Sequence, residues 1–291
     1  MQEIRDNYPF FKDCKNISFI AKQDENKMSK LFLNADGECF TLIREGREDN
    51  ARLAETIEFL RASLPPDYLP EILHIDKSRG YFVTSFVGGE NAKSLFALKN
   101  NGYEINIEKL SDELYSLARA VHNIPIPDDV RGQNWHQTIM AEFDGYFDFF
   151  QKLDVMGDGE FDVIKALLEK IRPYSERVRT CYIHDDFTAK NVCYDPQAEK
   201  LFLIDWDTIK IADPNIDISK SITHSFGHPV FLHAAEKFYP NFDRDVCYFY
   251  GLRVSLFWLK SLYDRLHPEF TIRVAEFKDR LKNNRPSAAN K

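Results

Sequence analysis

The sequence offers little to a nucleic-acid or membrane partner. Lys and Arg number 38 against 46 Asp and Glu, the formal net charge is -8, and no run of basic residues reverses this balance locally. An excess of negative charge disfavours non-specific attraction to a phosphate backbone or an anionic lipid surface. An uninterrupted run of about 18 apolar residues, the length of a membrane-spanning helix, is missing too. We therefore expect a cytoplasmic protein that binds neither nucleic acid nor membrane.

Paired cysteines are missing as well. The five cysteines are scattered along the chain, and no two of them form a CxxC pair. An odd number at irregular spacing argues against a disulfide framework and against a structural zinc site. We expect free thiols that pack as small hydrophobic side chains.

The first third of the sequence has the alternation of short strands. The segments SKLFLN and ECFTLI, joined by an Asp-Gly turn, predict a β-hairpin. Leucine and isoleucine at helical spacing then predict a helix over 51–64, and GYFVTSFV predicts a strand over 80–87. The one pair of adjacent glycines in the chain, Gly88 and Gly89, follows directly. We place a boundary there, between an N-lobe of residues 1–87 and a C-lobe of residues 88–291.

The sequence after the glycine pair is mainly helical. Leucines at helical spacing predict a helix that Ser111 caps and Pro125 stops. Further helical stretches lead to three short apolar segments, CYI, VCY and LFLI, which predict a small sheet with polar loops. Aromatic-rich helices follow. This order of elements predicts an α+β fold with a small β-rich N-lobe and a larger, mainly helical C-lobe.

Polar residues crowd the loop between CYI and VCY. The loop reads HDDFTAKN and contains Asp186 and Asn191, while Asp205 ends the next strand in LFLIDWD. Two hard oxygen donors, Asn191 and Asp205, beside a third carboxylate suit a Mg²⁺ site next to a general base. Phosphoryl transfer requires such a set: a positioned hydroxyl, a base for its proton and cations over the developing charge. The alternative is that these side chains only cap turns.

The same motifs resemble the signature of the aminoglycoside phosphotransferase and choline kinase superfamily, small-molecule kinases related to the protein kinases. HDDFTAKN, LIDWD and DPNIDIS stand in the order and at the spacing of that family. The resemblance implies a bilobal protein-kinase-like fold, with Asp186 as the catalytic base and Asn191 and Asp205 as the metal ligands. It gives the other motif residues supporting roles: His184, Asp213 and Asp217 for the loop, and Asp207 as a second metal contact or a plain loop acid.

The resemblance extends to the third strand of the N-lobe. In FTLIRE, Arg44 stands where the family has a basic residue that contacts the ATP phosphates. Its expected partner is Glu55 in the following helix, with Glu58 and Glu48 as alternatives. Arginine departs from the lysine of the antibiotic kinases and is similar to the choline kinase branch; its planar, always charged group can bind phosphate. A surface ion pair is the alternative role for Arg44.

The hinge follows the family pattern, but the phosphate loop does not. YFVTSFV resembles the hinge strand, where the backbone of Ser85, Phe86 and Val87 would bind adenine. The loop AKQDENKMSK contains no glycine. Its candidate phosphate donors are Asn26, Lys27 and Ser29.

The resemblance implies an enzyme that moves the γ-phosphoryl group of ATP or GTP, with Mg²⁺, to a hydroxyl of a small molecule. An aminoglycoside-type antibiotic, as in antibiotic resistance, and an amino alcohol such as choline are the two acceptor classes, and a cationic acceptor would suit the acidic chain. Trp135, Trp258 and Tyr263 are candidates to stack on it, although such aromatics more often belong to a core. The alternative is a nucleotide-binding pseudokinase without catalysis. We expect a monomer or a homodimer.

Overall fold

The computed structural model describes residues 2–25, 28–44, 49–64, 69–87, 90–91, 106–126, 135–195, 200–226 and 229–283. The chain divides into two compact units, Met1–Ala92 with Val192–Asp207 and Lys93–Asn191 with Thr208–Lys291. The chain therefore enters the first unit twice. The predicted N-lobe, residues 1–87, did not include the segment Val192–Asp207. The lobe boundary after residue 87 stays a prediction.

Ten strands and nine α-helices are described, together with short 3-10 helices at Pro9–Phe11, Ala189–Asn191 and Trp206–Thr208 and a π-helix at Ser221–Phe226. In chain order they are α1 (Gln2–Asn7), β1 (Ile17–Glu25), β2 (Met28–Ala35), β3 (Glu38–Arg44), α2 (Asp49–Ser63), β4 (Ile72–Asp76), β5 (Tyr81–Ser85), β6 (Glu90–Asn91), α3 (Ile107–His122), α4 (Trp135–Lys152), α5 (Asp158–Ser175), β7 (Cys181–Ile183), β8 (Val192–Asp195), β9 (Lys200–Leu203), β10 (Lys210–Ala212), α6 (Asn215–Lys220), α7 (Pro229–Phe238), α8 (Arg244–Asp264) and α9 (Phe270–Asn283).

An antiparallel sheet in the order β1-β2-β3-β5-β4 forms most of the first unit. β2 and β3 form the predicted hairpin, with Ala35 opposite Glu38. Its turn uses Asp36 and Gly37 at φ values of 51° and 96°, a region that Asp tolerates and glycine favours. The hairpin, the helix α2 and the strand β5 thus confirm the predictions for the first third of the chain.

One face of this sheet is closed by the N-terminal aromatic residues. Phe11 is fully buried and packs edge-on against Phe40, with ring centroids 5.7 Å apart. Leu33 and Leu42 lie in the same cluster. Because successive strand residues point to opposite faces, Lys30 on β2 belongs to the other face.

The small sheet predicted from CYI, VCY and LFLI is instead divided in two. β7 pairs with β10, where Ile183 lies opposite Lys210, while β8 pairs with β9 and with β6. Residues 184–191 follow β7 in the second unit, and the chain returns to the first unit with β8. The prediction of one sheet was wrong because apolar segments reveal strands but not their partners.

The start of α3 differs from its prediction. Asn106 caps it, since its side chain accepts the backbone N–H of Lys109 at 2.9 Å. Ser111 lies inside the helix, where its hydroxyl donates to the carbonyl of Glu108 at 2.9 Å. Both residues are suitable caps, and the earlier one begins the helix because Ile107 also belongs to its buried face.

The core of the second unit is formed by α4, α5, α8 and α9. The stacked rings of Phe143 and Phe249, with centroids 4.9 Å apart, lie within it. A β-rich first unit and a mainly helical second unit confirm the predicted α+β class. None of the described helices combines the length and the apolar character needed to cross a membrane.

Candidate active site

The loop after β7 is anchored on one buried carboxylate of α6. Asp217 accepts the backbone N–H of His184 at 2.8 Å and that of Asp185 at 2.9 Å, one on each carboxylate oxygen. Nε2 of His122, the last residue of α3, lies 3.1 Å from Oδ2 of Asp217. Two backbone donors and one imidazole therefore fix the start of the loop against two helices.

The pKa of Asp217 lies below its ordinary value. Burial of the side chain, which is 1% exposed, acts to raise the pKa. The hydrogen bond and charge of His122, together with the charge and backbone N–H of His184, lower it by more. Asp217 is thus an ionised carboxylate at neutral pH, in spite of its burial.

Asp186 directly follows these anchored residues, and both its backbone and its side chain are hydrogen-bonded. Its backbone N–H donates to Nδ1 of His184 at 3.2 Å. Its carboxylate oxygen Oδ2 accepts the amide of Asn191 at 2.8 Å and lies 2.8 Å from the ammonium of Lys190. Both contacts converge on the same oxygen, Oδ2.

The pKa of Asp186 is also below its ordinary value. Burial acts to raise it, but the hydrogen bond and charge of Lys190, the charge of Lys220 and the Asn191 amide outweigh the burial. Asp186 is therefore ionised at neutral pH, which is the state in which a carboxylate accepts a proton.

Asn191 is buried at the end of the loop with a fixed orientation. Its side-chain nitrogen donates to the carbonyl oxygen of Asp186 at 2.9 Å, as well as to the carboxylate. Because the nitrogen is committed to Asp186, the amide oxygen is the atom that a cation would use. The hard oxygen donors of Asn191 and Asp205 fit the ligand preference of Mg²⁺. They belong to different units, so the metal site stays a prediction.

Asp185 forms ion pairs with two lysines that were not predicted from the sequence. Its carboxylate lies 2.6 Å from the ammonium of Lys210 and 3.4 Å from that of Lys220, which also donates to its carbonyl oxygen. Asp185 has a φ of 60°, a left-handed conformation that is uncommon outside glycine and recurs at functional sites. Lys210 and Lys220 follow Asp185 in the sequence by 25 and 35 positions, and no motif indicates them.

Asp205 lies two residues after the end of β9 in the first unit and has a φ of 68°. Its carboxylate forms an ion pair with Lys30 of β2. The indole N–H of the next residue, Trp206, donates to the carbonyl of Leu203 at 2.7 Å and closes the turn around Asp205. The side chain of Asp207 lies outside the described residues, so its proposed metal contact stays a prediction.

Asp213 is buried among tyrosines. Its carboxylate accepts the hydroxyls of Tyr174 at 2.8 Å and Tyr250 at 2.7 Å, and the backbone N–H of Asn215 at 2.8 Å. Burial raises the pKa of Asp213 in spite of these donors. The network ties the start of α6 to α5 and α8.

Trp135 belongs to this network rather than to an open acceptor site. The residue is 7% exposed, and its indole N–H donates to the hydroxyl of Tyr250 at 2.6 Å. A ring packed in the core offers no face to a sugar or an ammonium group, so its predicted stacking role is corrected. Trp258 and Tyr263 are partly exposed on α8 and stay candidates.

The predicted nucleotide-binding residues occupy the first unit. Arg44 ends β3 opposite Ser29 and Tyr81, but its side chain lies outside the described residues. Glu55, its expected partner, forms an ion pair with Lys77, and both side chains are more than half exposed. Of the candidate loop donors, Asn26, Lys27 and the side chain of Ser29 lie outside the described residues, and so does the alternative partner Glu48.

Strand pairing narrows the predicted hinge contacts. The backbone N–H of Ser85 donates to the carbonyl of Glu71 at 2.8 Å, and that of Phe86 donates to the carbonyl of Cys39 at 3.3 Å. Because these two N–H groups are used within the sheet, a backbone donor to adenine would be the N–H of Val87. The phenyl ring of Phe86 is partly exposed beside Phe32 and offers an apolar surface.

Comparison with solved structures finds the same fold in antibiotic kinases. The crystal structure of aminoglycoside phosphotransferase APH(2'')-Ib with bound ADP has a TM-score of 0.68 and 16% identity, covering 94% of this chain and 96% of that one. The gentamicin complex of APH(2'')-IIa has a TM-score of 0.67 and 16% identity, covering 95% of each chain. Spectinomycin phosphotransferase APH(9)-Ia, with ADP and spectinomycin, has a TM-score of 0.58 and 12% identity, covering 95% of this chain and 91% of that one.

The fold is therefore that of the kinase-like small-molecule phosphotransferases. A family model described as the phosphotransferase enzyme family, APH, matches residues 35–250. This match spans most of the chain, which belongs to that family. The superfamily and the enzyme class expected from the motifs are thereby confirmed. A search among curated proteins finds no match.

Proposed function

We propose that this chain transfers the γ-phosphoryl group of ATP, or of GTP, to a hydroxyl group of a small molecule. The observation that carries the proposal is the setting of Asp186, an ionised carboxylate held through Oδ2 by Lys190 and Asn191. We assign Oδ1 the proton of the acceptor hydroxyl. A general base in this position contributes a factor of about 10² to 10⁴ to the rate.

The residues that hold the loop keep this base in place. Asp217 positions the backbone before Asp186, and Asn191 holds its carbonyl and carboxylate from the other side. Lys190 balances the charge of the carboxylate. Such preorganisation matters because phosphoryl transfer depends on positioning and charge more than on covalent chemistry.

Nucleotide and metal binding would draw on the remaining predicted residues. Val87 supplies the hinge donor, and Phe86 supplies an apolar surface for adenine. Asn191 and Asp205 would hold Mg²⁺, which when bound offsets the negative charge of the phosphates. The phosphotransferases of the same fold that were solved with ADP support the choice of nucleotide.

The acceptor is an aminoglycoside-type antibiotic or an amino alcohol such as choline. The related fold of the gentamicin and spectinomycin complexes supports the first class. Cations already accompany the described acids around the loop: Lys190 beside Asp186, Lys210 and Lys220 beside Asp185, and Arg253 beside Glu142. A cationic acceptor would therefore have to compete with these side chains for the acids. The charge of the acceptor is the property to vary in the test.

The test is a screen of ATP and GTP consumption against hydroxyl compounds of graded charge: aminoglycosides, choline and ethanolamine, neutral sugars, and sugar acids. We expect one class to raise consumption above the acceptor-free rate and to yield a phosphate monoester visible by mass spectrometry. Nucleotide-dependent thermal stabilisation with no phosphorylated product from any class would contradict the proposal and indicate the pseudokinase alternative.

A further inference from the structure

The first unit contains one described ion pair that is shielded from solvent on both sides. Lys30 and Asp205 have side chains 16% and 14% exposed. The pairs Lys77 with Glu55 and Lys12 with Asp13, also described in this unit, are more than half exposed on both sides. Exposed pairs contribute little to stability, whereas a shielded ammonium requires a permanent anionic partner.

Lys30 reaches Asp205 from the second strand of the sheet. Register places Lys30 directly opposite Ile43 of β3. On this face of the sheet, the β3 residue next to Lys30 is therefore aliphatic. The positive charge is supplied by β2, through Lys30 itself. Lys30 is also the last residue of AKQDENKMSK, the glycine-free segment predicted to bind the phosphates.

The partner of this lysine is a predicted metal ligand. A cation bound at Asp205 would compete with Lys30 for the carboxylate oxygen Oδ1. The ammonium would then need another anion within reach of its four-carbon stem. Nucleotide phosphates brought to the same carboxylate by Mg²⁺ supply that anion.

We propose that Lys30 is the phosphate-binding cation of this enzyme, in place of a basic residue on β3. The inference rests on the proposed function. It assigns to β2 the role that the family resemblance gave to Arg44. Lys30 is paired with Asp205 and therefore does not need a glutamate from α2 as its partner. This is consistent with the position of Glu55, which forms an exposed ion pair with Lys77.

The test measures equilibrium binding by calorimetry, with and without Mg²⁺, of ATP, ADP and adenosine to the full chain. We expect Lys30→Met to raise the Kd of ATP and ADP at least tenfold and to leave the Kd of adenosine unchanged, because adenosine has no phosphate. Lys30→Arg should recover part of the loss. Lys12→Met, which removes an exposed lysine paired with an aspartate, is the matched control and should bind all three like the wild type.

Three outcomes would overturn the inference. In the first, Lys30→Met binds ATP as tightly as the wild type. In the second, Lys30→Met loses adenosine to the same degree as ATP, which indicates a general disturbance of the unit. In the third, Arg44→Met accounts for the phosphate-dependent loss and Lys30→Met does not. A wild-type chain that binds neither ATP nor GTP would overturn the proposed function, and the inference with it.

Discussion

The pKa values of two buried carboxylates in this protein are shifted in opposite directions. Asp213 and Asp217 lie four positions apart and are both buried, yet burial raises the pKa of Asp213 while the pKa of Asp217 is lowered. The difference follows from their partners. Asp213 is bound by tyrosine hydroxyls, which are neutral, whereas Asp217 faces the imidazoles of His122 and His184. At Asp217 the hydrogen bonds and charges of the two histidines outweigh burial, whereas at Asp213 the hydroxyl and amide donors do not.

The depressed pKa of Asp217 predicts a pH-dependent contribution to stability. Its contribution is fully present above the unfolded-state pKa, about 3.9, and is lost as the pH falls through the lower folded-state pKa. We expect Asp217→Asn to lower the free energy of unfolding by about 3 kcal/mol at pH 7, because the buried carboxylate that accepts two backbone N–H groups and contacts His122 is removed. The difference from the wild type should narrow below about pH 4.

Urea unfolding followed by circular dichroism at several pH values checks this prediction. Asp264→Asn serves as control, because that aspartate is about half exposed and pairs with Lys260 on the surface of α8. The control should change the unfolding free energy by less than about 1 kcal/mol. A destabilisation of Asp217→Asn that stayed constant from pH 7 to pH 3 would argue against an ionised Asp217.

The packing of α6 against α8 fixes the position of Asp217, and through it the position of the loop after β7. α6, which holds Asp217, packs against α8, where the hydroxyl of Ser219 donates to the carbonyl of Cys247 at 2.9 Å. Gly251 of α8 lies close to the π-helix after α6. A Cβ atom built there would lie 2.9 Å from the Cγ2 atom of Thr223. The hydroxyl of Thr223 is bound to the carbonyl of Ser219 at 2.6 Å, so its methyl group has little freedom to move away.

Two glycine substitutions test this contact between elements. We expect Gly251→Ala to destabilise the protein by about 1 to 3 kcal/mol, through overpacking against Thr223. Gly145→Ala lies inside α4, where an added Cβ meets no described atom within 4 Å. It should stabilise the protein by about 0.5 to 1 kcal/mol, because alanine favours helix. Thermal and denaturant unfolding of both variants provides the measurement, and equal shifts in the two would refute the packing argument.

For the molecule as a whole, local patterns predicted the elements but not their partners. Alternation and an Asp-Gly turn were enough for the hairpin β2–β3, because both strands and the turn are contiguous. The pairing of β7 with β10 joins segments separated by 26 residues (183 to 210) of polar loops and other strands, and no local pattern signals it. The return of residues 192–207 to the first unit was missed for the same reason.

In the site too, contacts between residues close in sequence could be predicted, and contacts between residues far apart in sequence could not. The motif HDDFTAKN contains Asp186, Lys190 and Asn191, which meet in the structure because they lie within one short loop. Lys190 was visible in that motif, and its (i, i+4) spacing from Asp186 could have identified the pair. Lys30 and Asp205 are 175 positions apart, so their contact depends on folding that the sequence pattern does not reveal. Trp135 was misjudged because an aromatic residue in a helix carries no sign of whether its ring faces the core.

The central claim is that Asp186 is the base for phosphoryl transfer, and one comparison tests it most directly. Transfer of γ-labelled phosphate from ATP to the acceptor found in the screen is measured for the wild type, for Asp186→Asn and for the exposed control Asp264→Asn. The account predicts that Asp186→Asn lowers kcat by a factor of about 10² to 10⁴ with nucleotide affinity retained, and that the control matches the wild type. Transfer by Asp186→Asn at the wild-type rate would contradict it.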